Sequence, residues 1–159
     1  MQKNIKNKVL ILIGSKTDEP IMQETVKYLN WFGIKGDLIV ASAHRDAEKC
    51  MKLSKEAKQK GYSCIIAAAG MAAAIPGVVA AHSELPVLGV PLEGGLMNGV
   101  DALYSIVQMP AGIPVGTLAV GKAGARNSAV LAARIIALNN EEVAKKLKEF
   151  KELGFKIKV

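Results

Sequence analysis

A histidine and an arginine stand side by side in the string Ser42-Ala43-His44-Arg45, directly after a predicted strand. The imidazole of His44 can carry a proton near neutral pH. The guanidinium of Arg45 can bind an anion through paired hydrogen bonds. A histidine at a helix start is more often an ordinary surface residue. The carboxyl end of a strand, however, is where parallel α/β sheets bind ligands, and this position favours a functional role for His44.

A second candidate group lies in the turn Gly14-Ser15-Lys16-Thr17-Asp18, which follows the first apolar run. Small residues at a helix N-terminus leave backbone N–H groups free for a phosphate, and the helix dipole favours the negative charge. The same residues also fit a plain turn in which Thr17 or Asp18 caps the helix and Pro20 occupies its first turn. The turn matches neither the dinucleotide-binding fingerprint nor the Walker A motif, and Gly121-Lys122-Ala123-Gly124 also lacks the Walker spacing.

The remaining reactive residue types form no recognised catalytic pattern. His82 falls late in a predicted helix, where packing or a helix-end role is the ordinary explanation. Two histidines and the separated Cys50 and Cys64 make no metal-ligand set, so we expect no metal and no other cofactor. No Gly-x-Ser-x-Gly elbow occurs either. Proton transfer by His44 is therefore the chemistry that we expect.

Alternating apolar and amphipathic segments predict the elements that position these groups. Strands are predicted at 8–13, 36–41, 64–69, 87–90 and 115–120. Helices are predicted from the 17–20 turn to 32, from about 47 to 60, and at 76–83, 101–107, 128–138 and 141–152. This alternation indicates one α/β domain over residues 1–159 with a central parallel sheet and a core at about 8–138.

Ligands in such a sheet bind beyond the carboxyl ends of the strands. Topology alone therefore selects five loops as candidate site segments, and we expect the substrate among them. They are the loops at 14–18, 42–46, 70–77, 91–98 and 121–127.

The distribution of charge bears on the partners of the protein. The chain of 159 residues has a net charge of +7, but its lysines are spread over predicted helix faces and form no arginine-rich stripe. Only seven residues are aromatic, too few for a platform that stacks bases, so we expect no nucleic-acid binding. Residues 61–140 contain only three basic and three acidic side chains. Such a segment cannot cover the wet surface of a small monomer, which predicts a homo-oligomer.

Cysteine usage and hydropathy bear on the compartment. Two lone cysteines without a CxxC pair, and no recognisable signal peptide, are typical of a cytoplasmic protein. The uncharged run at 65–83 contains Gly70, Pro76 and Gly77 and is mostly alanine. It fits a strand, a loop and a buried helix better than a membrane span, so we expect none.

Several longer strings resemble the PurE family of de novo purine synthesis. They are Gly14-Ser15-x-Thr17-Asp18-x-x-x-Met22, Ser42-Ala43-His44-Arg45, Leu88-Gly89-Val90-Pro91, Gly99-x-Asp101-x-Leu103-x-Ser105-Ile106-Val107-Gln108-Met109-Pro110 and Gly112-Ile113-Pro114-Val115. The resemblance extends over about 9–138. Within the family, the chain is most similar to the bacterial N5-carboxyaminoimidazole ribonucleotide mutases, which are isomerases that yield 4-carboxy-5-aminoimidazole ribonucleotide.

The resemblance implies a three-layer, flavodoxin-like fold and a homo-octamer with sites at subunit interfaces, with helix 141–152 packing on a neighbouring subunit. It also implies that His44 is the general acid and base, that Ser15 and Asp18 bind the ribose phosphate part of the substrate, and that Arg45 binds its phosphate. We further expect substrate contacts from Ser42 and from a tight CO2-retaining wall made of Gly70, Met71, Ala72 and Ala73. An ATP-dependent synthetase of the substrate is the expected functional partner.

One loop departs from the mutase pattern. That branch usually reads Gly-Gly-Ala-Ala-His-Leu-Pro-Gly, whereas this chain has Gly70-Met71-Ala72-Ala73-Ala74-Ile75-Pro76-Gly77. Ala74 replaces a second active-site histidine, and Met71 replaces a glycine. We interpret that histidine as ordering the loop, because one titrating group suffices for a proton shuttle.

Two alternatives to the mutase remain open at this point. One is a carboxylase that uses aminoimidazole ribonucleotide and free CO2, or a relative that acts on another ribotide. The other is a ribotide-binding protein that lost activity with the loop histidine. The retained Ser15, Asp18, His44 and Arg45 argue against that loss.

Overall fold

The computed structural model describes residues 7–157. Its strands are β1 (Lys8–Ile13), β2 (Lys35–Val40), β3 (Cys64–Ala69), β4 (Val87–Pro91) and β5 (Gly116–Thr117). Its helices are α1 (Glu19–Trp31), α2 (Ala47–Glu56), α3 (Ile75–His82), α4 (Val100–Val107), α5 (Gly121–Ala137) and α6 (Glu141–Glu152).

The strands form one parallel sheet in the order β2-β1-β3-β4-β5. The central strands β1 and β3 are buried along almost their whole length, as their continuous apolar sequences predict. Ile13, at the end of β1, lies opposite Val40 on β2 and Ala68 on β3. The carboxyl ends of these strands therefore meet along one edge of the sheet.

Helices cover both faces of the sheet. Because side chains alternate along a strand, Val9 and Ile11 contribute to a core with α1, α5 and α6, whereas Leu10 and Leu12 contribute to a core with α2, α3 and α4. The predicted three-layer α/β sandwich with a central parallel sheet is thereby confirmed.

Three predicted boundaries are wrong. β5 is only two residues long, and α2 ends at Glu56 instead of continuing to Lys60. The largest error concerns 121–127, which was expected to be a loop but forms the first turns of α5. A β-carbon on Gly124 would collide with the carbonyl of Ala119, so this glycine permits close packing of a helix and does not mark a loop.

The C-terminal helix packs on its own chain. Val143 and Phe150 of α6 are buried in the core that also contains Tyr28 and Phe32, and the Phe150 ring meets the Phe32 ring edge-on at 5.3 Å between centroids. The apolar face of α6 is thus occupied within the protomer. That α6 also packs on a neighbouring subunit, through its remaining faces, stays a prediction.

No helix among residues 7–157 is both long enough and apolar enough to cross a membrane.

Candidate active site

A cleft of about 620 Å³ lies at the carboxyl-terminal edge of the sheet, where the loops after β1, β2, β3 and β4 converge. Four of the five loops selected from topology border it, and the fifth became the start of α5. The lining residues are Gly14, Ser15, Thr17, Asp18, Ile21, Ser42, Ala43, His44, Arg45, Ala69, Gly70, Met71, Ala72, Ala74, Ile75, Glu93 and Gly94.

The turn after β1 is held by reciprocal hydrogen bonds between Ser15 and Asp18. The Asp18 carboxylate accepts from the backbone N–H of Ser15 at 3.0 Å, and the Ser15 carbonyl accepts from the N–H of Asp18 at 3.1 Å. The Ser15 hydroxyl also accepts from the N–H of Thr17 at 3.3 Å. The Ser15 side chain caps the short 3₁₀ turn at Lys16–Asp18, and Asp18 occupies the N-cap position of α1, as predicted, although its side chain makes no capping hydrogen bond there. Pro20 does occupy the first turn of α1, as predicted.

The Asp18 carboxyl is half-buried at the wall of the cleft. Burial raises its pKa above the ordinary value, although the N–H of Ser15 and the guanidinium of Arg45 oppose that shift. Because its pKa is higher in the folded state, the stability that this group contributes is present at low pH and is lost as the pH rises through the folded pKa. Ionisation of Asp18 therefore lowers the stability of the folded state.

The turn after β2 presents His44 and Arg45 to the cleft. Arg45 is oriented at both ends, since its backbone N–H donates to the Ser42 hydroxyl at 3.2 Å and its Nη2 donates to the Gly14 carbonyl at 3.0 Å. This second bond joins the β2 loop to the β1 loop. The other guanidinium N–H groups stay available to an anion.

His44 lies beside Arg45 in the same turn, and its side chain is exposed to the cleft. Asp46 ends the turn by accepting from the N–H of Lys49 at the start of α2. The second histidine, His82, does not line the cleft. Its Nδ1 bonds to the Val78 carbonyl at 2.8 Å within α3. His44 is thus the imidazole that can exchange protons with a bound ligand.

The loop after β3 forms the opposite wall. Gly70, Met71 and Ala72 line the cleft as predicted, and Met71 has a positive φ of 53° with 64% of its surface exposed. The Met71 carbonyl holds the loop by accepting from the N–H of Ala73 at 2.9 Å and from the Ser105 hydroxyl at 3.4 Å.

The structure corrects one wall residue. Ala73 is 1% exposed and packs in the core with Ile75 and Val79, so it does not line the cleft. Ala74 faces the cleft instead. The position where the mutase pattern has histidine therefore borders the ligand space, with a methyl group in its place.

Sequence reasoning missed Glu93 and Gly94, which also line the cleft. The signal was present, because both follow β4 within the loop at 91–98 that topology had selected. Glu93 lies between two of the strings that resemble the family, so the resemblance assigns it no role.

Within residues 7–157, no three His, Cys, Asp or Glu side chains lie together in a way that could hold a metal ion. Cys50 and Cys64 are both buried free thiols. The polar groups of the cleft are therefore an imidazole, a guanidinium, two carboxylates and the hydroxyls of Ser15, Thr17 and Ser42.

Comparison with known proteins identifies relatives of this chain. The family described as AIR carboxylase matches residues 8–154. The N5-carboxyaminoimidazole ribonucleotide mutase of Escherichia coli K12 is 45% identical over 94% of this chain and 89% of its own length. The protein of the same name from Saccharolobus solfataricus is 49% identical over 91% and 90% of the two chains. The crystal structure of Treponema denticola PurE covers 92% of this chain and 90% of its own, with a TM-score of 0.83 and 30% identity.

Proposed function

The chain belongs to the AIR carboxylase (PurE) family, and from that premise we propose that it is an isomerase of purine biosynthesis. The reaction is the conversion of N5-carboxyaminoimidazole ribonucleotide to 4-carboxy-5-aminoimidazole ribonucleotide. The observation that carries this proposal is the cleft, in which the predicted acid-base and anion-binding residues, His44 and Arg45, face Ser15 and Asp18.

The ribotide is anchored at the β1 and β2 loops. Arg45 is already held by the Gly14 carbonyl, so its remaining donors can bind the 5′-phosphate without a large loss of side-chain entropy. Ser15 and Asp18 add a hydroxyl and a carboxylate for the ribose phosphate part. Ser42 keeps the Arg45 backbone in place through its hydroxyl.

His44 carries the protons. The carboxyl group leaves N5 as CO2, and the electron pair of the broken N–C bond stays on N5, where His44 delivers a proton. C4 of the imidazole then attacks the same CO2, and the neutral His44 removes the proton from C4. His44 regains from C4 the proton that it gave to N5, so the reaction needs no co-reactant.

The CO2 is retained between the two steps by the wall of Gly70, Met71, Ala72 and Ala74. These residues offer no charged side chain that would bind water or compete for CO2. Holding CO2 next to C4 replaces a bimolecular encounter with an effectively unimolecular step.

We propose that the protein acts as a homo-octamer. The support is the nearly uncharged segment 61–140 together with an exposed apolar surface that adjoins the cleft. The exposed apolar side chains are Met71, which lines the cleft, and Leu96, Met97, Tyr104 and Val107. Sedimentation should give a particle of about eight protomers, and a stable 17 kDa monomer at micromolar concentration would contradict the proposal.

The setting follows from the same proposal. Two free thiols suit a reducing cytoplasm. The substrate is an unstable carbamate, so an ATP-dependent enzyme that carboxylates N5 should supply it in the same compartment.

The experiment that tests the function incubates the protein with N5-carboxyaminoimidazole ribonucleotide and follows the C4-carboxylated product. The expected result is turnover without added bicarbonate. Turnover only from aminoimidazole ribonucleotide plus bicarbonate would identify a carboxylase, and binding of the ribotide without turnover would identify a protein that has lost activity.

A further inference from the structure

Glu93 is the one cleft-lining carboxylate that the reaction described above leaves without a role. It lies two residues after the end of β4, with its carbonyl oxygen 3.4 Å from the position that a β-carbon on Gly70 would occupy. It therefore stands on the side of the CO2-retaining wall, and not among the groups that anchor the phosphate. We propose that the Glu93 carboxylate binds the exocyclic nitrogen of the ribotide, a role that rests on the proposed function.

The carboxylate has a defined position. A β-carbon built on Gly121 would lie 2.5 Å from Oε1 of Glu93, so the carboxylate packs against the first residue of α5. The N-terminal end of a 17-residue helix attracts a negative charge, and Val120 supplies no side-chain cap that would compete. The Glu93 carboxylate therefore lies against the N-terminal end of α5, in space that the absence of a side chain at Gly121 leaves open.

The carboxylate is also available. Among the residues that the structure describes, Glu93 takes part in none of the ion pairs. Neither Arg45 nor His44, which line the same cleft, pairs with it. An ionised carboxylate has only acceptor oxygens, so its ligand must donate.

The ligand offers donors at the ribose hydroxyls and at the exocyclic nitrogen. The β1 loop, which we assign to the ribose phosphate, leaves the exocyclic N–H for the side of the cleft that carries Glu93. Like charges repel, so Glu93 would turn the departing carboxylate away from itself and towards Met71 and Ala74. Glu93 would in this way orient the group that moves.

Two variants test this role. Glu93→Ala should lower kcat/KM about 10- to 100-fold, because it removes a charge-assisted hydrogen bond. Glu93→Gln keeps an acceptor oxygen but removes the charge, so its kcat/KM should lie between those of Glu93→Ala and the wild type. The matched control is Glu84→Ala, which removes an exposed glutamate that pairs with Lys58 outside the cleft and should leave kcat/KM unchanged.

Ligand binding separates recognition from a structural effect. Glu93→Ala should weaken binding of aminoimidazole ribonucleotide by about tenfold or more and leave ribose 5-phosphate unaffected, since only the first ligand carries the amine. Equal losses for both ligands, or a kcat/KM of Glu93→Ala within twofold of wild type, would overturn the proposal. If Glu93→Ala fails to fold, Glu93→Met keeps the length of the side chain without its acceptor and replaces it in both assays.

The same measurements distinguish this proposal from the proposed function. A wild-type protein that binds aminoimidazole ribonucleotide but converts no substrate would remove the mutase reaction, while the two-ligand comparison would still decide the role of Glu93. A wild-type protein with normal turnover and an unaffected Glu93→Ala variant would remove only the role of Glu93. A wild-type protein that binds neither ligand would remove both.

Discussion

The two walls of the cleft are built by different means. The wall made by the β1 and β2 loops is polar and fixed by hydrogen bonds between side chains and backbone, such as those from Arg45 to Gly14 and from Ser15 to Asp18. The wall made by the β3 and β4 loops consists of small apolar residues and a methionine with positive φ, and Glu93 is its charged side chain.

This difference matches two tasks in the reaction. An anionic ribotide needs donors that are already oriented, because ordering them on binding would cost affinity. A retained CO2 needs the opposite, and the cleft-lining residues of the β3 loop offer it a surface without strong polar groups. The polar wall is also where the chain keeps the family strings, whereas the apolar wall is where it departs from them.

The largest expected effect comes from the polar wall at His44. His44→Asn keeps a polar side chain of similar size but cannot carry the proton, so kcat should fall by about 10²- to 10⁴-fold while ribotide binding stays near that of wild type. Steady-state kinetics and equilibrium binding measure the two quantities. The control is His82→Asn, whose ring bonds within α3 and which should retain activity. Near-normal turnover of His44→Asn would show that the proton donor lies elsewhere in the cleft.

The next effect concerns Arg45. Arg45→Ala should weaken binding of the nucleotide by about 1.5–3 kcal/mol, the usual value of a charge-assisted hydrogen bond, and hardly change binding of the dephosphorylated nucleoside. Lys49→Ala is the matched control, since Lys49 donates to the Val40 carbonyl much as Arg45 donates to Gly14 but lies outside the cleft. Calorimetry with both ligands makes the comparison. Equal losses for nucleotide and nucleoside would assign Arg45 to the loop structure alone.

A smaller effect is expected where the apolar wall departs from the family, at Ala74. Ala74→His restores the usual histidine at a position that lines the cleft, and it should change kcat by about tenfold or less, equivalent to roughly 1.4 kcal/mol. The reason is that, in the proposed reaction, His44 serves both proton transfers. An inert wild type that becomes an active mutase with Ala74→His would mean that the apolar wall carries chemistry and that the assigned function is wrong.

The two walls also differ in how well they can be predicted from the sequence. A turn of small polar residues and a His-Arg pair, each following an apolar strand, identify the polar wall, because parallel α/β sheets bind ligands beyond the carboxyl ends of their strands. Ala73 and Ala74 are identical in sequence, and only the turn at Met71 decides that one is buried and the other faces the cleft. Small residues carry no pattern that reveals their direction.

The start of α5 shows the same limit. Gly121 and Gly124 are typical of a loop in sequence, yet both are required because neighbouring atoms occupy the space of a β-carbon. Those neighbours, Glu93 and Ala119, come from distant or irregular segments. The start of α5 and the proposed role of Glu93 can therefore be inferred only from the structure, in which the two are in contact.

The smallest expected effect concerns the backbone conformation of Met71, in the apolar wall, and of Met97, outside the cleft. Met71 and Met97 both have a positive φ, 53° and 51°, and both are largely exposed, 64% and 78%. A left-handed conformation costs a residue with a side chain about 1 kcal/mol, which glycine avoids, although glycine also loses more entropy on folding. Met71→Gly and Met97→Gly should each leave the free energy of unfolding unchanged or raise it by up to about 1 kcal/mol.

The two variants should differ in function, because only Met71 lines the cleft. Removing its side chain opens the wall next to the retained CO2, so Met71→Gly should incorporate label from ¹³C-bicarbonate into the product more readily than wild type, whereas Met97→Gly should not. Denaturant unfolding and isotope incorporation, measured on the same preparations, give both results. If Met71 occupies a strained backbone position because its side chain closes the wall, the two variants should have similar stability but unequal exchange of CO2 with the solvent. Equal label in the two variants would mean that Met71 does not close the wall.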